Sequence, residues 1–352
     1  MKKLFVAVLA VAALASCAQE DVILNNNKAI TFGDAYVANS TKAIYEGAEE
    51  VEAFQVWGTV TGTEGTVALY NGANVTRPDG KAYGDAWTCD VQRFWTPNCK
   101  YAFYAVVDAD AVTAVDANSN PTGVPTSITY TADGTTDLLY GATTRTTGDA
   151  VSDPGVVAFT MQHLLSKVSF KFTNTNTNAA YTYKVTNVVV SGAYASGTYT
   201  IDHKFDVDSG LPTSINGTYA GAWGSYSETM PALSFLNGAL TLENATVNAD
   251  KTVTASTATA PKSFVIIPGA PALSIAIEVQ TVFNSKVVST QPYNLTVNTT
   301  EGAGGDDTDI TFEKNTHYNF VVALEGGKPI DFTIGSVGDF VTPDAGGDVT
   351  IQ

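Results

Sequence analysis

The chain has 352 residues, with 35 acidic side chains against 18 lysines and arginines, for a net charge of −17. Hydrophobic residues make up 44% and charged residues only 15%, which excludes a disordered chain and leaves enough apolar material for a real core. The acidic balance excludes nucleic-acid binding through a basic patch, and three histidines, His163, His203 and His317, leave little material for a metal centre or a general base. Composition therefore disfavours an enzyme, and no cofactor or metal is expected. At about 150 residues per domain, the length suggests two domains.

The N-terminus opens with Lys2-Lys3 and an apolar run from Leu4 to Ala15. That run is too short to span a bilayer comfortably. A charged start, a short apolar run and small residues behind it read as a secretory signal over residues 1–16. The segment closes on Leu14-Ala15-Ser16-Cys17, which resembles the lipobox of bacterial lipoproteins. Cleavage is then expected before Cys17, with a lipid on its sulfur and residues 17–28 as a lipidated tether. Acyl chains hold such a protein firmly on a membrane, so the cell surface and the outer membrane are the expected location. No later run is apolar enough to span a bilayer, so the lipid is the only expected membrane contact.

The next element is Ala29-Ile30-Thr31-Phe32-Gly33-Asp34-Ala35-Tyr36-Val37. Its partial alternation puts Ile30, Phe32 and Tyr36 on one side of a strand. Further β-rich runs cover residues 53–58, 101–107, 127–130, 167–173, 183–190, 273–279, 318–324 and 330–334. They are bounded by Gly, Asn, Asp and Pro clusters, and helical periodicity is scarce. One apolar and one polar face per strand suit an antiparallel sandwich. The fold class expected is all-β. Two stretches, from Asp206 to about Met230 and from Asn244 to Pro261, read as long loops or linkers, and a nominal boundary gives domains at 29–210 and 211–352.

With Cys17 assigned to lipid, Cys89 and Cys99 remain. Their spacing across a turn allows a disulfide in a suitable register; two separate buried thiols are the alternative. Trp87 and Trp95 offer an aromatic platform for sugars, although such residues more often fill a sandwich core. Asp306, Asp307 and Asp309 lie in a Gly-rich stretch that lacks the ligand order of an EF-hand, so a polar hairpin loop is the expectation there.

Several segments in order resemble the fimbrillin family, the subunits of the type V pili of Bacteroides-type bacteria. They are the lipobox, Thr41-Lys42-Ala43, Phe94-Trp95-Thr96-Pro97 with Tyr101-Ala102-Phe103-Tyr104-Ala105, and Asp137-Leu138-Leu139-Tyr140-Gly141-Ala142. Met161-Gln162-His163-Leu164-Leu165-Ser166-Lys167-Val168-Ser169-Phe170 and Phe264-Val265-Ile266-Ile267-Pro268 follow. The resemblance implies two transthyretin-like antiparallel β-sandwich domains with Greek-key connections and export as a lipoprotein. It implies a cut by a surface trypsin-like protease, here after Lys42, and removal of the strand carrying Ile30, Phe32 and Tyr36. A neighbouring subunit would then fill the vacated groove by donor-strand exchange, with Val349 and Ile351 as the candidate donor strand of this chain. The expected function is thus a structural subunit or adhesin of a fimbrium, whose partners are other fimbrial subunits, the protease and a host protein or glycan receptor. The second reading is a surface lipoprotein that binds glycans and never polymerises.

Overall fold

The computed structural model describes residues 28–37, 51–78, 87–107, 112–117, 124–149, 154–202, 220–227, 229–269, 271–297, 311–324, 331–339 and 349–351. Among these residues there is no helix. The first half of the chain forms β1 (Phe32–Val37), β2 (Ala53–Gly62), β3 (Gly65–Thr76), β4 (Thr88–Cys89), β5 (Lys100–Val107), β6 (Val112–Ala117), β7 (Pro125–Thr131) and β8 (Leu139–Thr146). Next come β9 (Val157–His163), β10 (Ser166–Asn174), β11 (Tyr181–Ser191), β12 (Ser196–Asp202), β13 (Ala220–Gly224), β14 (Leu233–Ser234), β15 (Leu240–Leu242) and β16 (Thr246–Val247). The remainder is β17 (Val253–Thr254), β18 (Ser256–Thr259), β19 (Phe264–Ile266), β20 (Leu273–Phe283), β21 (Lys286–Val297), β22 (Thr316–Leu324), β23 (Asp331–Asp339) and β24 (Val349–Ile351). Wherever their residues are described, the β-rich runs expected from alternation fall in strands, and the fold is all-β.

Four larger sheets carry the fold. A seven-stranded sheet runs β1-β9-β8-β5-β2-β3-β4, and a four-stranded one runs β13-β12-β7-β6. A third runs β18-β10-β22-β23-β24 with β19 also on β10, and a fourth runs β14-β11-β20-β21 with β15 on β11. Three hydrophobic cores lie among them. Strand β5 shows how two of them share a wall. Tyr101, Phe103, Ala105 and Val107 face a first core, while Ala102, Tyr104 and Val106 face a second. Strict alternation in an unbroken apolar run is what a strand buried on both faces requires. The second core is completed from the four-stranded sheet by Ile128, Tyr130, Tyr199 and Ile201. The third is a sandwich, with Val168, Phe170 and Phe172 of β10 facing Val185, Val188 and Val190 of β11 and Ile275, Ile277 and Val279 of β20.

The second and third cores draw on strands from both the earlier and the later parts of the described chain. Strands β10 and β11 already build the third core with β20 and β22, whereas β12 and β13 pair back toward β7 and β6. Strand β13 sits inside the stretch 206–230 and pairs with β12, Tyr199 opposite Trp223. The stretch 244–261 is not a bare linker either. It holds the small hairpin of β16 and β17 and strand β18, which pairs with β10 through Lys171–Asn174.

Between β9 and β10, one segment serves all three cores in turn: Met161 belongs to the first, Leu164 and Leu165 to the second, and Val168 onward to the third. At this junction His163 and Asp137 are both fully buried, and their Nδ1 and Oδ2 atoms share a 2.5 Å hydrogen bond. The other carboxylate oxygen accepts the Leu138 N–H at 2.8 Å. The pair thus ties the start of β8 to the end of β9. Substituting Asp137→Ala is expected to destabilise the fold by about 1–3 kcal/mol, because it strips a buried polar group of its partner; urea denaturation followed by tryptophan fluorescence measures it.

Candidate functional site: the N-terminal strand and its slot

Residues 28–33 are extended, as their β-branched and aromatic content dictates, and they bond alternately to opposite sides. On one side Ile30 N–H donates to Arg93 O at 2.8 Å, Trp87 N–H donates to Phe32 O at 2.8 Å, and Trp95 N–H donates to Lys28 O at 3.0 Å. On the other, Val157 N–H donates to Thr31 O at 2.8 Å. Isolated antiparallel bridges join Ala29 to Phe94 and Phe32 to Trp87. Since β1 and β4 are the two ends of the seven-stranded sheet and Trp87 directly precedes β4, this segment closes the sheet into a ring. Single bridges to Trp87 and Phe94 thus join the two ends of that sheet.

Beyond the bridge, β1 runs parallel to β9, with Ala35 opposite Phe159, Tyr36 opposite Thr160 and Val37 opposite Met161. The register shifts between Phe32 and Ala35. Gly33 lies inside that irregularity, and a Cβ there would collide with Val156 Cγ1. Ile30, Phe32 and Ala35 are all in the first core, Phe32 and Ala35 with no exposed surface. The bulge changes the phase that simple alternation expects, so Ala35 takes the inward place after Phe32. Of Tyr36 the structure describes the backbone pairing only.

The Phe32 ring sits in an aromatic box. Its centroid lies 6.2 Å from Phe54, 5.4 Å from Tyr70 and 5.9 Å from Phe103, each edge-on, and 6.3 Å from Phe159, stacked. Each such pair contributes about 0.5–1.5 kcal/mol beyond area burial. Trp87 and Trp95 form the outer wall. They are 5% and 0% exposed, so they are core residues and no sugar platform. The Trp95 ring packs edge-on against Tyr101 at 4.7 Å, and the Tyr101 hydroxyl accepts the Thr96 N–H at 2.6 Å. Arg93 braces this wall by donating through Nε to Leu69 O at 3.1 Å. Burial pushes the Tyr70 hydroxyl well above the usual phenol range. That hydroxyl and Trp95 Nε1 are buried without a hydrogen-bond partner, so the box carries two unsatisfied donors at about 1–3 kcal/mol each.

Strand β24 lies at the far end of its sheet, antiparallel to β23, with Val349 opposite Ile334 and Ile351 opposite Phe332. Cys17, Lys42, the carboxylate pair Asp306-Asp307 and the Gly-rich stretch around it lie outside the described residues. Among the described residues, no cluster of three or more His, Cys, Asp or Glu side chains is placed to hold a metal ion. The disulfide that the spacing allowed is not formed: Cys89 and Cys99 are free thiols. Register explains why. Cys89 pairs with Val75, which pairs with Phe54 at one end of β2, while Cys99 directly precedes Lys100, which pairs with Thr61 at the other end. Three strand spacings and most of a strand's length separate them, far beyond the reach of a bridge. Sequence reading found Ile30 and Phe32. It missed the wall, although Phe94-Trp95-Thr96-Pro97 had stood out as a motif, because nothing local says what an aromatic loop packs against.

A family model described as fimbrillin-like matches residues 41–336. Among solved structures, the chain is similar to a fimbrial protein from Bacteroides vulgatus ATCC 8482 at 16% identity and a TM-score of 0.52, covering 88% of this chain and 99% of that one. It is also similar to a fimbrial assembly protein from Parabacteroides distasonis ATCC 8503 at 13% identity and a TM-score of 0.43, covering 93% and 100%. The first likeness shows a shared fold. No curated protein matches the chain.

Two outcomes follow from the geometry. Phe32→Ala is expected to cost about 3–5 kcal/mol in chemical denaturation and to make the peptide around residues 28–37 the first cleaved in limited proteolysis. A thiol titration of non-reduced protein truncated to begin at Lys28 is expected to find two reactive groups after unfolding and slow reaction before it, since burial pushes both the Cys89 and Cys99 thiols up.

Proposed function

Because the chain belongs to the fimbrillin-like family, whose model spans residues 41–336, we propose that it is a structural subunit or adhesin of a cell-surface fimbrium, exported as a lipoprotein on Cys17 and assembled by donor-strand exchange. In this reading a trypsin-like surface protease cuts after Lys42 and frees the segment that carries β1. Its role is structural and not catalytic. Its partners are other subunits of the same or a different kind, and the assembled fimbrium meets a host protein or glycan.

The observation that supports this reading is the two-sided seating of residues 28–33. Withdrawing them would leave the N–H groups of Trp87, Trp95 and Val157 without acceptors and open the rings of Phe54, Tyr70, Phe103 and Phe159 to water. Unpaired backbone and exposed aromatic surface together favour refilling by an extended segment. A donor from the next molecule makes a head-to-tail contact, which grows filaments rather than closed rings. Strand β24, three residues at a sheet edge and paired only with β23, carries the candidate donor residues Val349 and Ile351.

Mild trypsin treatment of the mature chain is expected to cut after Lys42, release the β1 peptide and produce concentration-dependent ladders on gels. Deleting residues 349–352 is expected to leave the cut intact and abolish the ladders. A chain that loses the peptide and stays monomeric at every concentration would overturn strand exchange and favour the glycan-binding lipoprotein.

A further inference from the structure

A cavity of about 510 Å³ opens where β9, β13, the turn after β19 and the approach to β22 converge. Its lining shares no residue with the aromatic box around Phe32. Its volume lies within the range of about 300–1,000 Å³ typical of small-molecule sites. Each wall is fixed by backbone bonds. Gly269 and Phe312 exchange N–H···O bonds of 2.9 Å in both directions, and Asn315 N–H donates to Leu165 O at 2.9 Å. Glu313 N–H donates to the Tyr318 hydroxyl at 2.8 Å, and that hydroxyl donates to Thr311 O at 3.0 Å.

The apolar surface of the cavity is aromatic. Trp223 donates its indole N–H to Leu164 O at 2.7 Å and packs behind against Tyr199 at 5.6 Å. Tyr226 is 37% exposed, and its ring is stacked flat on Tyr194, with centroids 4.1 Å apart and planes 12° apart. Gly269 has a φ of +127°, and a Cβ there would lie 2.6 Å from the Tyr226 hydroxyl, so a bare backbone seats the tyrosine pair. The result is a rigid aromatic face presented to solvent without a rotamer search on binding.

Polar groups converge on the same space. Lys314 Nζ donates to Gln162 Oε1 at 3.2 Å and lies 5.8 Å from the Tyr199 ring centroid. Glu313 lines the cavity beside them. One acid and one base leave the lining balanced, and the chain's net charge of −17 repels anions. A flat aromatic face with hydrogen-bonding groups at its rim, and no net charge, suits the apolar ring face and hydroxyls of a sugar. We propose that this cavity binds a neutral hexose unit of a glycan, stacked on Tyr226 and hydrogen-bonded by Lys314 and Gln162.

The test uses the full mature chain, titrated with methyl glucoside, methyl galactoside and methyl mannoside and followed by saturation-transfer NMR and tryptophan fluorescence. At least one glycoside is expected to bind saturably. Tyr226→Ala is expected to weaken it at least about tenfold, while Tyr226→Phe keeps the ring and binds within about twofold of the parent chain. Lys314→Met, at the rim of the cavity, is expected to weaken binding without loss of fold and covers the case in which Tyr226→Ala fails to fold. Absence of binding by all three glycosides, or binding unchanged in both Tyr226→Ala and Lys314→Met, overturns the site. Tighter binding of glucuronate than of the glucoside overturns its assignment to a neutral sugar.

Discussion

The closure of the seven-stranded sheet by residues 28–33 is the constraint on which the N-terminal half depends. A sheet with seven strands has two edges, and here a single extended segment links them, bonding to Arg93, Trp87 and Trp95 on one side and to Val157 on the other. The same segment plugs the core with Phe32, whose ring touches four others from β2, β3, β5 and β9. Hydrogen-bond closure and core filling are therefore one event. Neither survives without the other, because a sheet that lost the plug would expose its edges and its interior together.

This coupling explains an otherwise costly arrangement. The Tyr70 hydroxyl and the Trp95 indole N–H are buried unsatisfied beside the plug, and the strand that carries it runs parallel to β9 through an irregular register. An ordinary structural strand gains little from such features. Both donors belong to the wall of the slot, so they remain buried in it whichever extended segment fills the space.

Downstream, stability rests on strands shared between cores. β5 alternates its residues between the first and second cores, and the segment from Met161 to Val168 reaches all three. The second core draws on both halves of the sequence, with Tyr104 and Tyr140 from one side and Tyr199, Val265 and Ile267 from the other. The glycan-type cavity sits at the margin of this shared region, lined by Gln162 and Trp223 together with Lys314, residues far apart in the chain. Trp87 and Trp95 are core, as such residues more often are, whereas Tyr226 and Trp223 stood out in no local pattern.

By itself the sequence determined the strands, because a period of two and β-branched composition act over a few residues and need no partner. It also determined the family likeness, carried by ordered short motifs, and the inward character of Ile30 and Phe32. Only the tertiary structure decided which strands are neighbours, that the sheet closes through Phe32 and Trp87, that Cys89 and Cys99 stand at opposite ends of β2, and that a register shift brings Ala35 inward. Pairing and register are set by distant partners competing for the same edge and the same core volume, and by single-residue shifts that exchange faces. Local alternation fixes which residues share a face of a strand and leaves open what that face meets.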